Sequence, residues 1–424
     1  EKNLYSAYIP YFTTEPRDNL KEYFNLGMNF TNTIAINGGS ENARSYFSYG
    51  NTTANGVMEN NTFSRHNLMF KQNFILFNKY LKLDFSANYI NQKMENVPMS
   101  GEARNPLYSL YKVGRDVDMR YFKANYKRVA QTVDDITLGS VQYKRLLGQD
   151  IQNWPWAGEN YNNPYWLAEK TYSSRSINRL ILNGTANVKI IEGLNFQVRY
   201  SRDQTFDKNI DQRYATIRFK TKESSSNWLS QSQSAETFTD AILTFAKEVG
   251  PIGINATLGG SYNKSEWWSS NMGSTADTAG MINYFYFSDP GGYFRTGNAA
   301  TAQYGIYGTS LGAGESWGDD WNAGVFGTAQ IGFWDKAYID FSYRHDWSKA
   351  FSQFKGQTYT VKDAKGNEVL DKNDNPIVKN AKTSFGYWAV GANLLLKDLF
   401  NITNKKINIM KLRASYSQVG NSIP

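Results

Sequence analysis

The 424-residue chain reads as an all-β protein, a transmembrane antiparallel β-barrel of which about twelve strands are present. Three observations carry that reading. Apolar residues alternate singly with polar ones through segment after segment, the period of a strand with two unlike faces. No stretch approaches the roughly 18 consecutive apolar residues of a membrane helix, and "NFILF" at 73–77 is among the longest apolar clusters. Connections between the alternating segments are in turn short and long. In an antiparallel meander that order puts the tight turns at one end and the long loops at the other, as in barrels with short periplasmic turns and long extracellular loops.

After a lead-in over residues 1–28, the alternation predicts strands near 29–37, 45–53, 64–77, 80–91, 176–190, 194–206, 235–249, 252–263, 322–334, 337–347, 384–396 and 407–418. "YLKLDFSANY" is the clearest: Leu81, Leu83, Phe85, Ala87 and Tyr89 share one face, Lys82, Asp84, Ser86 and Asn88 the other. "LNFQVRYS" sets Phe196, Val198 and Tyr200 against Gln197 and Arg199, and "AYIDFSYR" sets Ile339, Phe341 and Tyr343 against Asp340 and Arg344. Gln72 and Phe326 break the pattern. Every proline lies outside these segments, as a ladder needing its N–H donors requires. Tight turns are expected at 38–44, 78–79, 191–193, 250–251 and 335–336, with a longer one at 397–406. The long segments are 54–63, 92–175, 207–234, 264–321 and 348–383. A soluble β-sandwich shares the period but does not segregate its loop lengths so completely, and loops as long as 92–175 are unusual inside a compact soluble domain.

The segment "INIMKLRASYSQ" shows what the two faces are for. Met410, Leu412, Ala414 and Tyr416 would meet lipid, while Lys411 and Arg413 would meet a water-filled lumen. A Lys or Arg facing the bilayer midplane costs roughly 2–4 kcal/mol, so the register is fixed: a one-residue slip drives both cations into hydrocarbon. Lys82, Asp84, Arg199, Arg344, Lys411 and Arg413 are accordingly the candidates for the polar lumen wall. Phe77, Tyr80, Trp334 and Trp347 at strand ends fit an interfacial aromatic girdle, and ordinary strand packing accounts for them equally well.

Composition narrows the chemistry. The chain holds 29 Tyr, 25 Phe and 11 Trp, and no cysteine, which excludes disulfides, thiolate metal sites and cysteine nucleophiles. The net charge of +8 is spread along the chain, favouring a solvated surface over nucleic-acid binding. With only His66 and His345, a histidine metal centre or general base has little material. "GTSLG" at 308–312 matches a nucleophile elbow in letters alone, because a glycine-rich run follows where a helix is needed. "DKNDNP" at 371–376 resembles a calcium loop but lacks its bend glycine and bidentate Glu, so a polar hairpin over "DAKGNEVLDKNDNP" is the simpler reading. No cofactor, metal or catalytic residue is expected. Carboxylate pairs remain untested by sequence, since their separation is three-dimensional.

Two loops concentrate aromatics. "NWPWAGENYNNPYW" brings Trp154, Trp156, Tyr161, Tyr165 and Trp166 together among asparagines, and "SEWWSS" adds Trp267 and Trp268. "INYFYFSDP" at 282–290 is a third such run. Flat rings flanked by amides suit stacking on sugars or holding peptides. The same rings also suit packing a loop into a cap over the barrel mouth, and both readings stand at this stage.

The ordered set of motifs resembles one family. "MKLRASYSQVGN" at 410–421, "AINGGSENARSYFSYGNTTANGVMENNTFSRHNLMFKQNF" at 35–74, "NPYW" running on to "LNFQVRYSRD" at 194–203, and "YIDFSYRHDWSKAF" at 338–351 are similar to segments of SusC/RagA-type TonB-dependent transporters of the Bacteroidetes. The resemblance covers most of the chain in the family's order. It implies energised uptake of oligosaccharides or peptides across the outer membrane of a Gram-negative bacterium. A SusD-like surface lipoprotein would act as the delivering lid, and TonB would act through N-terminal regions not found here. It further implies contact with outer-membrane lipid and lipopolysaccharide, and no nucleic-acid partner. Family barrels have 22 strands and carry a plug, so residues 29–424 are expected to be a partial barrel, an internal piece without the plug or the C-terminal strands. On this reading a change at a lumen-wall residue alters transport or plug seating and spares insertion. A passive porin and, further off, a soluble carbohydrate-binding β-protein are the alternatives.

Overall fold

Twelve strands pair in chain order into one antiparallel sheet in the computed structural model. They are β1 (Met28–Gly39), β2 (Ala43–Asn55), β3 (Thr62–Leu76), β4 (Leu81–Glu95), β5 (Thr171–Ile191) and β6 (Leu194–Arg213), then β7 (Ser226–Val249), β8 (Ile252–Ala276), β9 (Thr309–Phe333), β10 (Ala337–Ser348), β11 (Ser384–Leu395) and β12 (Lys411–Gln418). The structure describes residues 11–418 apart from 14, 100–103, 139–140, 143–145, 157–161, 215–225, 277–308, 353–354, 363–365, 381–382 and 405. Each strand pairs with its sequence neighbour, and the sheet is open, with β1 and β12 as its edges. The predicted all-β meander and its twelve strands stand.

The strands differ from expectation in length. β7, β8 and β9 run for 24, 25 and 25 residues, where the alternation marked only 235–249, 252–263 and 322–334. At about 3.3 Å per residue such strands reach roughly 80 Å, well beyond the roughly 30 Å hydrocarbon of a bilayer. Much of the segments read as the loops 207–234 and 264–321 is therefore ladder. The reason lies in composition: "SQSQS" and "SSNMGS" are polar on both faces, so the hydrophobic period vanishes although backbone pairing continues. The β2–β3 connection, 56–61, is short and so departs from the expected alternation of loop lengths.

Register assigns every side chain to one of two faces. Ile34, Tyr49, Leu68 and Tyr89 stand on one face through consecutive pairings, as do Tyr200, Thr239, Tyr262, Ala323 and Trp347. This face is mostly apolar from the tight-turn end to the row of Tyr200, Tyr262 and Trp347, with Gln72, Lys247 and His345 among its polar members. On β8 the band runs Ile252, Ile254, Ala256, Leu258, Gly260 and Tyr262, eleven residues of chain, within the 9–11 or so that a tilted strand needs to cross a bilayer. Its side chains are not covered: Leu258 is 64% exposed, Ile339 50% and Phe341 49%.

Tight hairpins close the lower end. Trp334 and Asp335, in the three-residue turn between β9 and β10, adopt φ of 54° and 55°, the left-handed backbone of a tight turn, and Gly193 and Gly250 supply positive φ at two further turns. The packed hydrophobic core lies elsewhere. Tyr23, Leu110, Val113, Val117, Met119, Phe122, Trp154 and Tyr165 cluster at the opposite end, between the segment ahead of β1 and the β4–β5 connection.

Candidate functional site

The face opposite the apolar band carries all six predicted wall residues. Lys82 and Asp84 on β4 register through Asn187 and Thr185 to Gln197 and Arg199, and Arg199 stands opposite Asp240. Arg344 stands opposite Phe326 and Tyr387, and Arg413 opposite Asn393. The charges are largely matched. Arg199 donates from Nε to Asp240 at 2.9 Å, Arg179 to Asp203 at 2.9 Å, Arg175 to Asp207 at 2.9 Å, and Arg344 to Asp346 at 2.8 Å. Asp84 accepts from the Asn73 amide. Lys82, Lys411 and Arg413 are exposed. The wall is thus a lattice of Arg–carboxylate forks with exposed cations at intervals, a surface that holds polar solutes or a polar protein face through charge-assisted hydrogen bonds.

Glycines shape this wall around aromatic rings. Phe326, which broke the alternation, lies on the polar face with Arg344 5.6 Å from its ring centre. Its ring occupies the space that a Cβ on Gly259 would need, 2.5 Å away. Gly324 likewise leaves room for the Arg344–Asp346 pair, a Cβ there falling 2.2 Å from Asp346 Oδ1.

Above the long-strand end sits a small helical cap, formed within the lead-in and the expected long loop 92–175. Its helices are α1 (Asn19–Tyr23), α2 (Pro106–Lys112), α3 (Met119–Ala124) and α4 (Pro164–Lys170). Two of them begin Asn-Pro. Asn105 accepts from the Leu107 N–H and Asn163 from the Tyr165 N–H, each with proline in the first helical turn. That pairing, visible twice in "RNPLYSLYK" and "NNPYWLAEK", was the available signal for helices inside 92–175. Asp118 caps α3 by accepting from Arg120 N–H, and the Arg120 guanidinium beside it holds its carboxyl below the usual carboxylate range. Arg104 anchors the cap to β6 through Asp211 at 2.6 Å.

The cap shows where the aromatic run lies. Trp154, Tyr165 and Trp166 are 4%, 3% and 2% exposed. Trp154 lies 4.6 Å from Trp156 and 5.2 Å from Phe122, centre to centre, while Tyr165 lies 5.4 Å from Tyr23. Trp166 meets Tyr214 at 6.5 Å, so each of these rings packs against another aromatic of the chain, as the cap reading of the run expects. The asparagines serve the same end: Gln152 donates to Asn162 at 2.8 Å and accepts from the Asn163 N–H at 2.9 Å. Burial, with nearby Glu59, pushes the Tyr165 phenol up to about 12. Trp156 is half-buried in the same cluster, and Tyr161 lies outside the described residues, as does the run at 282–290.

Trp267 and Trp268 depart from expectation. Both lie on β8 rather than in a loop, and as neighbours on a strand they point to opposite faces. Trp267 covers Gly318 on the polar face, whereas Trp268 pairs with Trp317 on the apolar side, above the band. They cannot form one binding platform. In "DKNDNP" the Asp371 carboxylate accepts from the N–H groups of Asn373 and Asn375 at 2.8 and 3.0 Å, within a hairpin of Thr358–Thr360 and Val378–Asn380. Gly308 of "GTSLG" is outside the described residues, and Thr309–Gly312 continue β9 with no helix after them. Among the described residues no group of three or more His, Cys, Asp or Glu is placed to hold a metal ion.

No protein-family model and no curated protein matches the chain. Solved structures do. A structure of the RagAB peptide transporter superposes with a TM-score of 0.57 at 16% identity, over 96% of this chain and 39% of that one. The fold is that of part of the RagAB transporter chain. Its "open-open" and "closed-closed" states each give a TM-score of 0.61 at 16% identity, over 96% and 98% of this chain. The present chain therefore spans under two fifths of the RagAB chain's length, 38% and 39% in those two states. RagA is a SusC-type TonB-dependent transporter, so the resemblance read from the motifs and the likeness in fold meet in the same kind of protein.

Proposed function

We propose that this chain forms lumen wall and extracellular cap of a TonB-dependent outer-membrane importer. In this reading oligosaccharides or peptides enter together with a SusD-like surface lipoprotein. The single observation that carries it is the two-faced sheet: an uncovered apolar band one bilayer tall on one face, and an Arg–carboxylate lattice on the other. An uncovered face of that height is stable against lipid tails, and a charged face is stable only against water or polar protein. The fold shared with the RagAB peptide transporter supports import over passive leakage. The cap, packed at the long-strand end, gives a delivering lipoprotein a preformed surface. The chain takes no part in bond-making; its residues bind and guide.

The test is uptake of fluorescent oligopeptides and oligosaccharides by cells with and without the complete gene product, before and after a protonophore collapses the inner-membrane gradient. Energised import predicts protein-dependent uptake that the protonophore abolishes. Uptake that persists at the same rate without the gradient would make the protein a passive porin and end the TonB assignment.

A further inference from the structure

Three aromatic rings on the polar face share one local geometry. Trp228 on β7, Trp267 on β8 and Phe326 on β9 each stand directly across from a glycine, respectively Gly273, Gly318 and Gly259. Each ring lies over its glycine. The point that a Cβ on Gly318 would take is 2.8 Å from Cε2, Cζ2 and Nε1 of Trp267 alike. On Gly259 it is 2.5, 2.8 and 3.1 Å from Cζ, Cε2 and Cε1 of Phe326, and on Gly273 it is met by Cε3, Cζ3 and Cδ2 of Trp228. Three adjoining ring atoms at nearly one distance mean that the flat of the ring, not its edge, is turned to the backbone. A side chain on the opposing residue would prop the ring upright. Among the described glycines no other has three atoms of one ring at its Cβ position. The outer faces stay open: Trp228 is 43% and Trp267 49% exposed, and Phe326 is half-buried. Gly259, Trp267 and Gly273 follow one another up β8, so the rings form a file, with steps of about 26 and about 20 Å at ~3.3 Å per residue.

We propose that these glycine-seated rings are stacking platforms for sugar rings moving along the wall, and that the solute carried is an oligosaccharide. The inference rests on the import reading under the preceding heading and narrows its solute. A pyranose has a flat C–H face and a rim of hydroxyls, and each platform answers both. The laid-down ring takes the face. Polar groups on the same side of the sheet take the rim: Ser230 and Asn271 beside Trp228, Ser269 and Ser316 beside Trp267, Arg344 beside Phe326. A peptide finds less here. An extended peptide is held through an unpaired strand edge, and β7, β8 and β9 are paired on both sides. The charges at Phe326 are already engaged with each other, Arg344 with Asp346. Steps of 20 Å and more also select for length, since a single sugar meets one ring and a chain reaches towards the next.

The experiment is equilibrium binding of the complete gene product, in detergent, to arrays of neutral oligosaccharides of increasing length (α- and β-glucans, mannans, xylans and galactans) and of peptides. Wild type is expected to bind at least one oligosaccharide series, more tightly as the chain lengthens. Trp228→Ala/Trp267→Ala should weaken that binding about tenfold. Gly318→Ala keeps the indole but takes away its seat, and should weaken binding about threefold. Trp317→Ala, on the opposite face, should bind as wild type does. A wild type that binds peptides and no oligosaccharide overturns the proposal, as does a double tryptophan variant that folds and binds as tightly as wild type. Equal binding by Gly318→Ala overturns the role of the glycine seat. Ring-dependent binding together with uptake that ignores the proton gradient would refute energised import and leave the platforms standing.

Discussion

Arginine placed at both Leu258 and Phe341 abolishes insertion of the protein into the outer membrane. The two side chains lie on the apolar face near the middle of its band, 64% and 49% exposed. A cation facing lipid at that depth costs roughly 2–4 kcal/mol. The sites lie on β8 and β10 with β9 between them and share no cross-strand partner, so the two costs add. Their sum, about 4–8 kcal/mol, is a large share of the roughly 5–15 kcal/mol that holds a typical folded protein together. Folded fraction in lipid vesicles, read by the gel-mobility difference between folded and heated protein, measures it. Thr257→Arg and Ser342→Arg are the controls: each is the chain neighbour of a test site on the polar face, and neither should lower the folded fraction. If the controls fail and the double variant inserts, the faces are inverted.

The second large effect is confined to the cap. Phe122 is fully buried and meets Trp154, Tyr121 and Tyr11 at ring-centre distances of 5.2, 5.2 and 5.1 Å. Replacing it with alanine removes those contacts and leaves a cavity, a loss of about 3–5 kcal/mol for a buried aromatic. The cap's core is small, and its helices run only 5–7 residues, too short to persist without tertiary packing. Phe122→Ala should therefore unfold the cap locally while the sheet stays folded. Limited proteolysis checks this: cleavage within 104–170 should accelerate, with the strands still protected. A variant whose cap resists protease as wild type does would show that the cluster is not what holds it.

Particular residues explain what sequence reading recovered and what it lost. "YLKLDFSANY" and "AYIDFSYR" were legible because lipid and water impose opposite chemistry on alternate side chains, so face and register could be read from Leu83 against Lys82 or Phe341 against Arg344. The same logic put all six wall residues on one face. It fails on the upper halves of β7 to β9, where Ser, Gln and Gly fill either face and the hydrophobic period vanishes. It fails at Trp267 and Trp268 for a related reason: polar residues on both sides of the pair hide the strand that carries them. The aromatic run ending at Trp166 admits two readings because stacking on a ligand and packing on a neighbouring ring ask for the same residues. Only burial separates them, and burial depends on Tyr23 and Phe122, distant in sequence. The Asn-Pro helix starts at Asn105 and Asn163 were local and readable.

The most direct test of the central claim is a nitroxide scan along β8 from Ile254 to Tyr262 in lipid vesicles. The chain has no cysteine, so each site can be labelled singly. Collision with oxygen, which concentrates in lipid, should peak at 254, 256, 258, 260 and 262, and collision with a water-soluble nickel complex at 255, 257, 259 and 261. Accessibility to either reagent that varies without period two, or oxygen maxima at the odd positions, would contradict the account of this sheet as a membrane wall.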